Sequence, residues 1–219
     1  MHIAILGATQ EKEEFFSHPL PASVQVIVAD SRRAFDAIEA DAGFDLSYHK
    51  DAGRKSALSN FSKGILFVND VSGDVAGVDI PVVRFNGWPT FLKRSIFELA
   101  FTSHALAEPV SRFFSTLGWK YETVKDVPGF VTPRVVAALI NEAYFTLGAH
   151  VSTKSEIDTA MKLGTNYPYG PFEWSELIGL EKVAALLRKL ASTDERYHPA
   201  PAMEIDLLLA VRHLNKANE

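Results

Sequence analysis

The 219-residue chain carries 22 Lys+Arg against 27 Asp+Glu, a formal charge of −5, with no cysteine and 47% hydrophobic residues. That size and composition give one large or two small domains with ample apolar material for packed cores, and exclude a disordered chain. The acidic balance argues against a nucleic-acid partner, and the missing cysteines remove disulfides, thiolate metal sites and cysteine nucleophiles.

The opening run Met1-His2-Ile3-Ala4-Ile5-Leu6-Gly7 is too short for a signal h-region or a membrane span. A cytoplasmic protein with no membrane partner is the expectation. Ile3–Leu6, Val24–Ala29, Gly64–Val68 and Ile80–Val83 read as strands. Their nearly continuous apolar character suits a parallel sheet covered on both faces by crossover helices. Arg32 to Ala40 is the clearest helix among them, and Asp51 to Phe61 reads as a second. From Asp126 onward the texture is helical. Thr132-Pro133 opens a long helix to about Leu147, stopped by Gly148. Thr153-Lys-Ser-Glu156 is a capping-box pattern for a helix that Gly164 can end. Pro171 and Gly179 bracket a third helix, Glu181 to Leu190 makes a fourth, and Ala202 to Leu214 a fifth after the Pro199-Ala-Pro201 elbow. The predicted architecture is α/β plus all-α: a domain over residues 1–125 with a parallel sheet, then a helical domain over 126–219. No repeat and no low-complexity tract interrupts it.

Four motifs stand in order in the second half: Lys125-Asp-Val-Pro-Gly-Phe-Val131 with Arg134, Glu156-Ile-Asp-Thr-Ala-Met-Lys-Leu-Gly164, Tyr167-Pro-Tyr-Gly-Pro-Phe-Glu173 with Ile178-Gly-Leu180, and Arg196-Tyr-His-Pro-Ala-Pro201. Together they strongly resemble the C-terminal domain of 3-hydroxyacyl-CoA dehydrogenases. The resemblance implies a shortened Rossmann-like NAD-binding domain followed by a helical dimerisation domain. It also implies a homodimer, an acyl-CoA ligand, and NAD-dependent oxidation of an L-3-hydroxyacyl-CoA to the 3-ketoacyl-CoA in fatty-acid β-oxidation.

A Rossmann site needs Gly-x-Gly-x-x-Gly after the first strand, for a tight turn, close approach of the backbone to the pyrophosphate, and close helix packing. The corresponding run is Gly7-Ala8-Thr9-Gln10-Glu11-Lys12, in which only Gly7 survives. Glu11, Glu13 and Glu14 lie in or beside the first helical turn, where carboxylates complement the helix dipole and repel a phosphate. Asp30, 23 positions after Gly7, stands near the expected place of the ribose-binding carboxylate, or else caps a helix before Arg32-Arg33. The two arginines leave a phosphate contact open.

The chemistry that the resemblance implies uses a histidine as general base, a glutamate that orients it, and a serine and an asparagine on the substrate. Matching Phe85-Asn86 to the family's Phe-Asn puts Val83 at the histidine, and matching the arginine of the Pro-Gly-Phe segment to Arg134, on the substrate side, puts Pro133 at the asparagine. Ser72 matches the serine after a one-residue slip, direct register giving Val71; Glu98 matches the glutamate, or is a solvent-facing strand carboxylate. His104 is the one histidine near a matched position, and the seven histidines show no metal-binding spacing, so no metal is expected. Two readings stand open: an NAD-dependent dehydrogenase, or a dimeric acyl-CoA- or nucleotide-binding scaffold that has lost the chemistry.

Overall fold

Short apolar runs separated by polar turns build a seven-stranded sheet in the computed structural model, which describes residues 1–48, 61, 64–73, 75 and 80–217. The strands are β1 (His2–Leu6), β2 (Gln25–Ala29), β3 (Ala42–Asp45), β4 (Ile65–Asn69), β5 (Val83–Phe85), β6 (Ile96–Phe101) and β7 (Lys120–Thr123), in the order β2-β1-β3-β4-β5-β6-β7. Every neighbouring pair is parallel except β5 and β6, which run against each other. The chain therefore turns back on itself at β1, with β2 on one side and β3 on the other.

The crossovers are short. Helix α1 (Thr9–Phe15) links β1 to β2, α2 (Arg32–Ala37) leads to β3, and α3 (Ala107–Leu117) links β6 to β7. One face of the sheet buries an aromatic cluster of Phe15, Phe44, Phe67, Phe85, Phe97, Phe113, Phe114 and Trp119. Phe44 and Phe67 stack at 4.4 Å between centroids, and Phe97 stacks on Trp119 at 5.3 Å. Aromatic rings give this thin sheet a large buried area per residue.

Several boundaries differ from the sequence expectation for physical reasons. The strand read from Ile80 begins only at Val83, because Pro81 has no N–H and the Val82 N–H donates to the Thr102 hydroxyl at 2.9 Å. The helix read to Ala40 stops at Ala37, since Ile38 is extended with ψ 125°. The helix read over Asp51 to Phe61 lies outside the described residues, apart from Phe61 itself. The sheet is not wholly parallel, because β6 returns against β5.

The chain divides into two compact units, Met1–Val131 and Thr132–Glu219. The second consists of α4 (Thr132–Gly148), α5 (Lys154–Thr165), α6 (Pro171–Ile178), α7 (Leu180–Ala191) and α8 (Pro201–Ala217). Its core takes Ile140, Tyr144, Ile157, Phe172, Trp174, Val183, Leu187 and Met203 from all five helices. Local polar chemistry sets the helix starts. The Thr153 hydroxyl accepts from the Glu156 N–H, and the Glu156 carboxylate accepts from the Thr153 N–H at 3.1 Å. Buried Asp158 accepts from the Phe172 and Glu173 N–H groups at 2.8 and 3.2 Å, tying α5 to the start of α6. Helix α5 passes through Gly164 and ends on Asn166, which takes the left-handed conformation at φ 55°.

Candidate functional site

In an open α/β sheet, ligands sit outside the carboxyl ends of the strands, where the strand order reverses. Here that edge is formed by the ends of β1, β3, β4 and β5. Its side chains are bound to one another.

At the end of β1, Gly7 is held by packing: a Cβ there would meet the Leu46 Cβ at 2.9 Å. Ala8 follows as the N-cap of α1, and its N–H donates to the Glu11 carboxylate at 2.9 Å and to the Ser47 hydroxyl at 3.2 Å. Ser47 itself donates to the same Glu11 oxygen at 2.5 Å. Glu11 is buried, so a carboxylate of the chain's own covers the first turn of the helix. Glu14, one turn on, accepts from the Thr90 N–H with both oxygens at 2.8 and 3.0 Å.

At the end of β2, Asp30 is exposed. The N-cap of α2 is Ser31, whose hydroxyl accepts from the Ala34 N–H at 3.3 Å, so the capping role considered for Asp30 belongs to its neighbour. Arg32 does not face outward. Its guanidinium reaches Asp45 Oδ2 at 2.6 Å, at the end of β3, and Asp36 at 3.0 Å, while Asp45 is fully buried.

At the end of β4, the Asn69 amide donates to the carbonyls of Leu46 at 2.8 Å and Gly87 at 3.0 Å, and accepts from the Gly87 N–H at 3.0 Å. One side chain thus ties the ends of three adjacent strands. Asp70 then organises its own loop, accepting from the N–H groups of Gly73 and Val75, both at 2.9 Å, and from the Ser72 hydroxyl at 3.2 Å.

The β5 segment holds the largest departure from the sequence reading. Val83, the position matched to a histidine, is a fully buried core residue. Beside it Arg84 is also buried, donating to the Asp70 carbonyl at 2.8 and 3.1 Å and pairing with the carboxylates of Asp70 and Asp126. Its guanidinium lies 4.9 Å from the Phe130 ring centroid. Nothing in a Val-Val-Arg-Phe run announces a buried cation; its partners are far away in sequence.

Glu98 on β6 is half-buried and accepts from the Asn86 side-chain amide at 2.9 Å. The structure thereby joins two residues that the sequence matched separately. Partial burial pushes the Arg94 guanidinium down from its ordinary range, and the neighbouring Glu98 charge opposes that. His104 stands elsewhere. It follows the far end of β6, where Phe101 pairs with Val83, so the antiparallel turn carries it to the opposite edge of the sheet from Asn86. His18 lies with Nε2 2.7 Å from the Leu92 carbonyl and is packed on Phe97 and Trp119. Among the described residues, no group of three His, Asp or Glu side chains could hold a metal, and no helix is long and apolar enough to cross a membrane.

Arg134, in the first turns of α4, belongs to the helical unit and lies 5.8 Å from the Tyr197 ring centroid.

Residues 129–218 match the C-terminal domain of 3-hydroxyacyl-CoA dehydrogenase. The helical half of the chain is similar to that domain of the family. Its curated relatives in that family include the 3-hydroxyadipyl-CoA dehydrogenase of Escherichia coli K12, 41% identical over 88 residues that cover 39% of this chain and 18% of the relative. The mitochondrial hydroxyacyl-coenzyme A dehydrogenase of Mus musculus is 32% identical over 135 residues, covering 60% of this chain and 42% of the relative. The matched segments thus span less than half the length of either relative. Among solved structures, the (S)-3-hydroxybutyryl-CoA dehydrogenase PaaH1 of Ralstonia eutropha superposes with a TM-score of 0.72 at 21% identity, covering 95% of this chain and 94% of that one. The likeness shows that this chain shares the fold of that structure, a Rossmann-like sheet and a helical unit.

Proposed function

We propose that this chain is a member of the 3-hydroxyacyl-CoA dehydrogenase family that keeps the scaffold without the NAD-dependent oxidation. What supports it lies at β5: the position matched to the general base holds Val83, which is fully buried, and Glu98, matched to the carboxylate that would orient that base, accepts from Asn86. A valine accepts no proton, and a general base contributes about 10²–10⁴ in rate.

The residues at the end of β1 do not fit a dinucleotide. The N–H that a pyrophosphate would use is bonded to Glu11, Thr9 places a branched side chain in the turn, and Lys12 stands where close packing calls for glycine. A carboxylate there repels a phosphate. Asp30 is exposed and, by its spacing after Gly7, would suit a ribose, while Gly7 is explained by its packing on Leu46.

The reading on offer is therefore a cytoplasmic scaffold that binds an acyl-CoA or a partner copy without turnover, with Arg134 as the residue on the substrate side. Two copies pair through the helical unit. Ile205, Leu208 and Leu209 recur at i, i+3 and i+4 on α8 and are exposed, Leu208 to 62%. Such a stripe on a terminal helix supports a self-complementary interface about a two-fold axis.

Titration of the purified chain with NADH, watched by its fluorescence and followed by acetoacetyl-CoA, tests the proposal. No quenching or energy transfer and no NADH oxidation are expected. Saturable NADH binding with substrate-dependent oxidation would overturn it. Sedimentation reads the assembly separately: a mass of twice 24.2 kDa is expected, and a monomer at micromolar concentration removes the dimer.

A further inference from the structure

The two edges of the sheet differ in character. At one edge β7 is polar, with Lys120 and Glu122 exposed along it. Charges on an edge strand discourage other chains from pairing with it. At the other edge β2 reads Gln-Val-Ile-Val-Ala and carries no charge, with Ile27 39% and Val28 47% exposed. Among the described residues no strand lies beyond it. We propose that β2 pairs antiparallel with β2 of a second copy, about a two-fold axis at Ile27, so that two sheets join into one.

The hydrogen bonds already made by β2 set the phase of that pairing. The Gln25 N–H donates to the Met1 carbonyl at 2.9 Å, in a parallel register that sets Gln25 beside His2 of β1. Backbone groups alternate in direction along a strand. Gln25, Ile27 and Ala29 therefore turn theirs to β1, and Val26 and Val28 turn theirs outward. An axis at Ile27 sets Val26 of each copy opposite Val28 of the other, where the two residues exchange both N–H···O bonds. An axis at Val28 would bring Asp30 against Val26, and one at Val26 would call on Val24, whose N–H already donates to the Pro21 carbonyl at 2.9 Å.

The side chains agree with the same register. Ile27 meets its own copy in a pair without backbone bonds, the kind in which side chains approach most closely. Asp30 falls opposite Val24, so no charge faces a like charge. The crossovers leave the edge open, since α1 and α2 connect β2 to β1 and β3, and both of those strands lie on its inner side. A surface that matches itself about a two-fold axis is what a closed pair of identical chains requires.

Sedimentation equilibrium of Leu208→Glu, whose added charge opposes pairing through α8, reads the edge separately from the helical unit. A monomer–dimer equilibrium with a Kd of about 0.1–1 mM is expected, weak because the strand is short. Val28→Pro removes an outward donor, leaves the bonds to β1, and raises that Kd about tenfold. Ile27→Lys and Ile27→Glu each abolish pairing alone, and their equimolar mixture recovers it, which a misfolded strand does not do. The absence of cysteine allows a direct reading of the register. Ile27→Cys brings two Cα atoms to about 4.5 Å, within disulfide reach, and cross-links under mild oxidant, whereas Gln25→Cys faces Ala29 and does not. A chain that stays monomeric at millimolar concentration overturns the proposal and leaves the edge to a strand of another protein. Cross-linking of Gln25→Cys as fast as Ile27→Cys overturns it too, as does a charge-swapped mixture that stays monomeric. None of these outcomes depends on NADH oxidation, so the dehydrogenase question is read independently.

Discussion

The Asn86 amide and the Glu98 carboxylate meet across the antiparallel β5–β6 pair, Nδ2 donating to Oε2 at 2.9 Å. The contact satisfies two polar groups that are otherwise half-buried or buried beside an apolar sheet. A carboxylate already bonded to an amide is poorly placed to orient an imidazole.

A histidine placed at position 83 does not by itself make a base. Val83→His inserts an imidazole into the fully buried aromatic face of the sheet. Without a designed partner it costs about 1–3 kcal/mol in desolvation alone. Urea unfolding gives a lower midpoint, and the variant shows no acetoacetyl-CoA-dependent NADH oxidation.

Arg84→Met removes the cation shared by Asp70 and Asp126 and leaves their carboxylates facing the space it filled. Breaking a buried pair from one side costs roughly 3–5 kcal/mol. Asp126→Asn costs less, because Asp126 is partly exposed and Arg84 keeps Asp70. Chemical denaturation of the two variants side by side shows that order; equal losses would contradict it.

Asn69→Ala deletes three hydrogen bonds at the ends of β3, β4 and β5 and strands buried backbone groups of Leu46 and Gly87. A loss of about 2–4 kcal/mol follows from the stranded groups. Gly87→Ala attacks the same joint sterically, since its Cβ would meet the Asn69 amide at 2.6–2.8 Å. Hydrogen exchange at Gly87 rises in Asn69→Ala, where its N–H loses its acceptor.

The helical unit loses stability in acid. The Glu156 carboxyl is held below its ordinary range by the Ser152 hydroxyl and the Thr153 cap, and the Glu173 carboxyl by Lys162 and the Gly170 N–H. A carboxyl depressed in the folded state stabilises it above the unfolded value near 4.5, and that contribution disappears as pH falls through the folded value. Thermal midpoints followed from pH 7 to pH 3 fall less steeply in Glu156→Gln and Glu173→Gln than in the parent chain.

The helical half was legible because its signals are local. Thr153 and Glu156 lie three residues apart, and Pro171 and Gly179 bracket α6 by rules that need no tertiary partner. Asp158 escaped that reading, since a carboxylate inside one helix that caps the next has no signature in either segment. In the sheet, β3 is Ala-Gly-Phe-Asp, too short for a pattern and dependent on Gly43, where a Cβ would meet the Phe61 ring at 2.6 Å. β7, Lys-Tyr-Glu-Thr, is a polar edge. The candidate site was legible in part: the sequence pointed to Asn86 and Glu98 one by one but not to their contact, which forms across the β5–β6 pair between residues 12 apart in the chain.

Arg84 is hard to replace in a single step. Its partners come from the loop after β4 and from the segment that ends the first unit, so replacing it by an apolar residue strands charges in two places at once. A loss of about 3–5 kcal/mol would consume a large part of the 5–15 kcal/mol that keeps an ordinary domain folded. Residues around Arg84 can vary more freely than the arginine itself, whose single replacement leaves Asp70 and Asp126 without their shared cation.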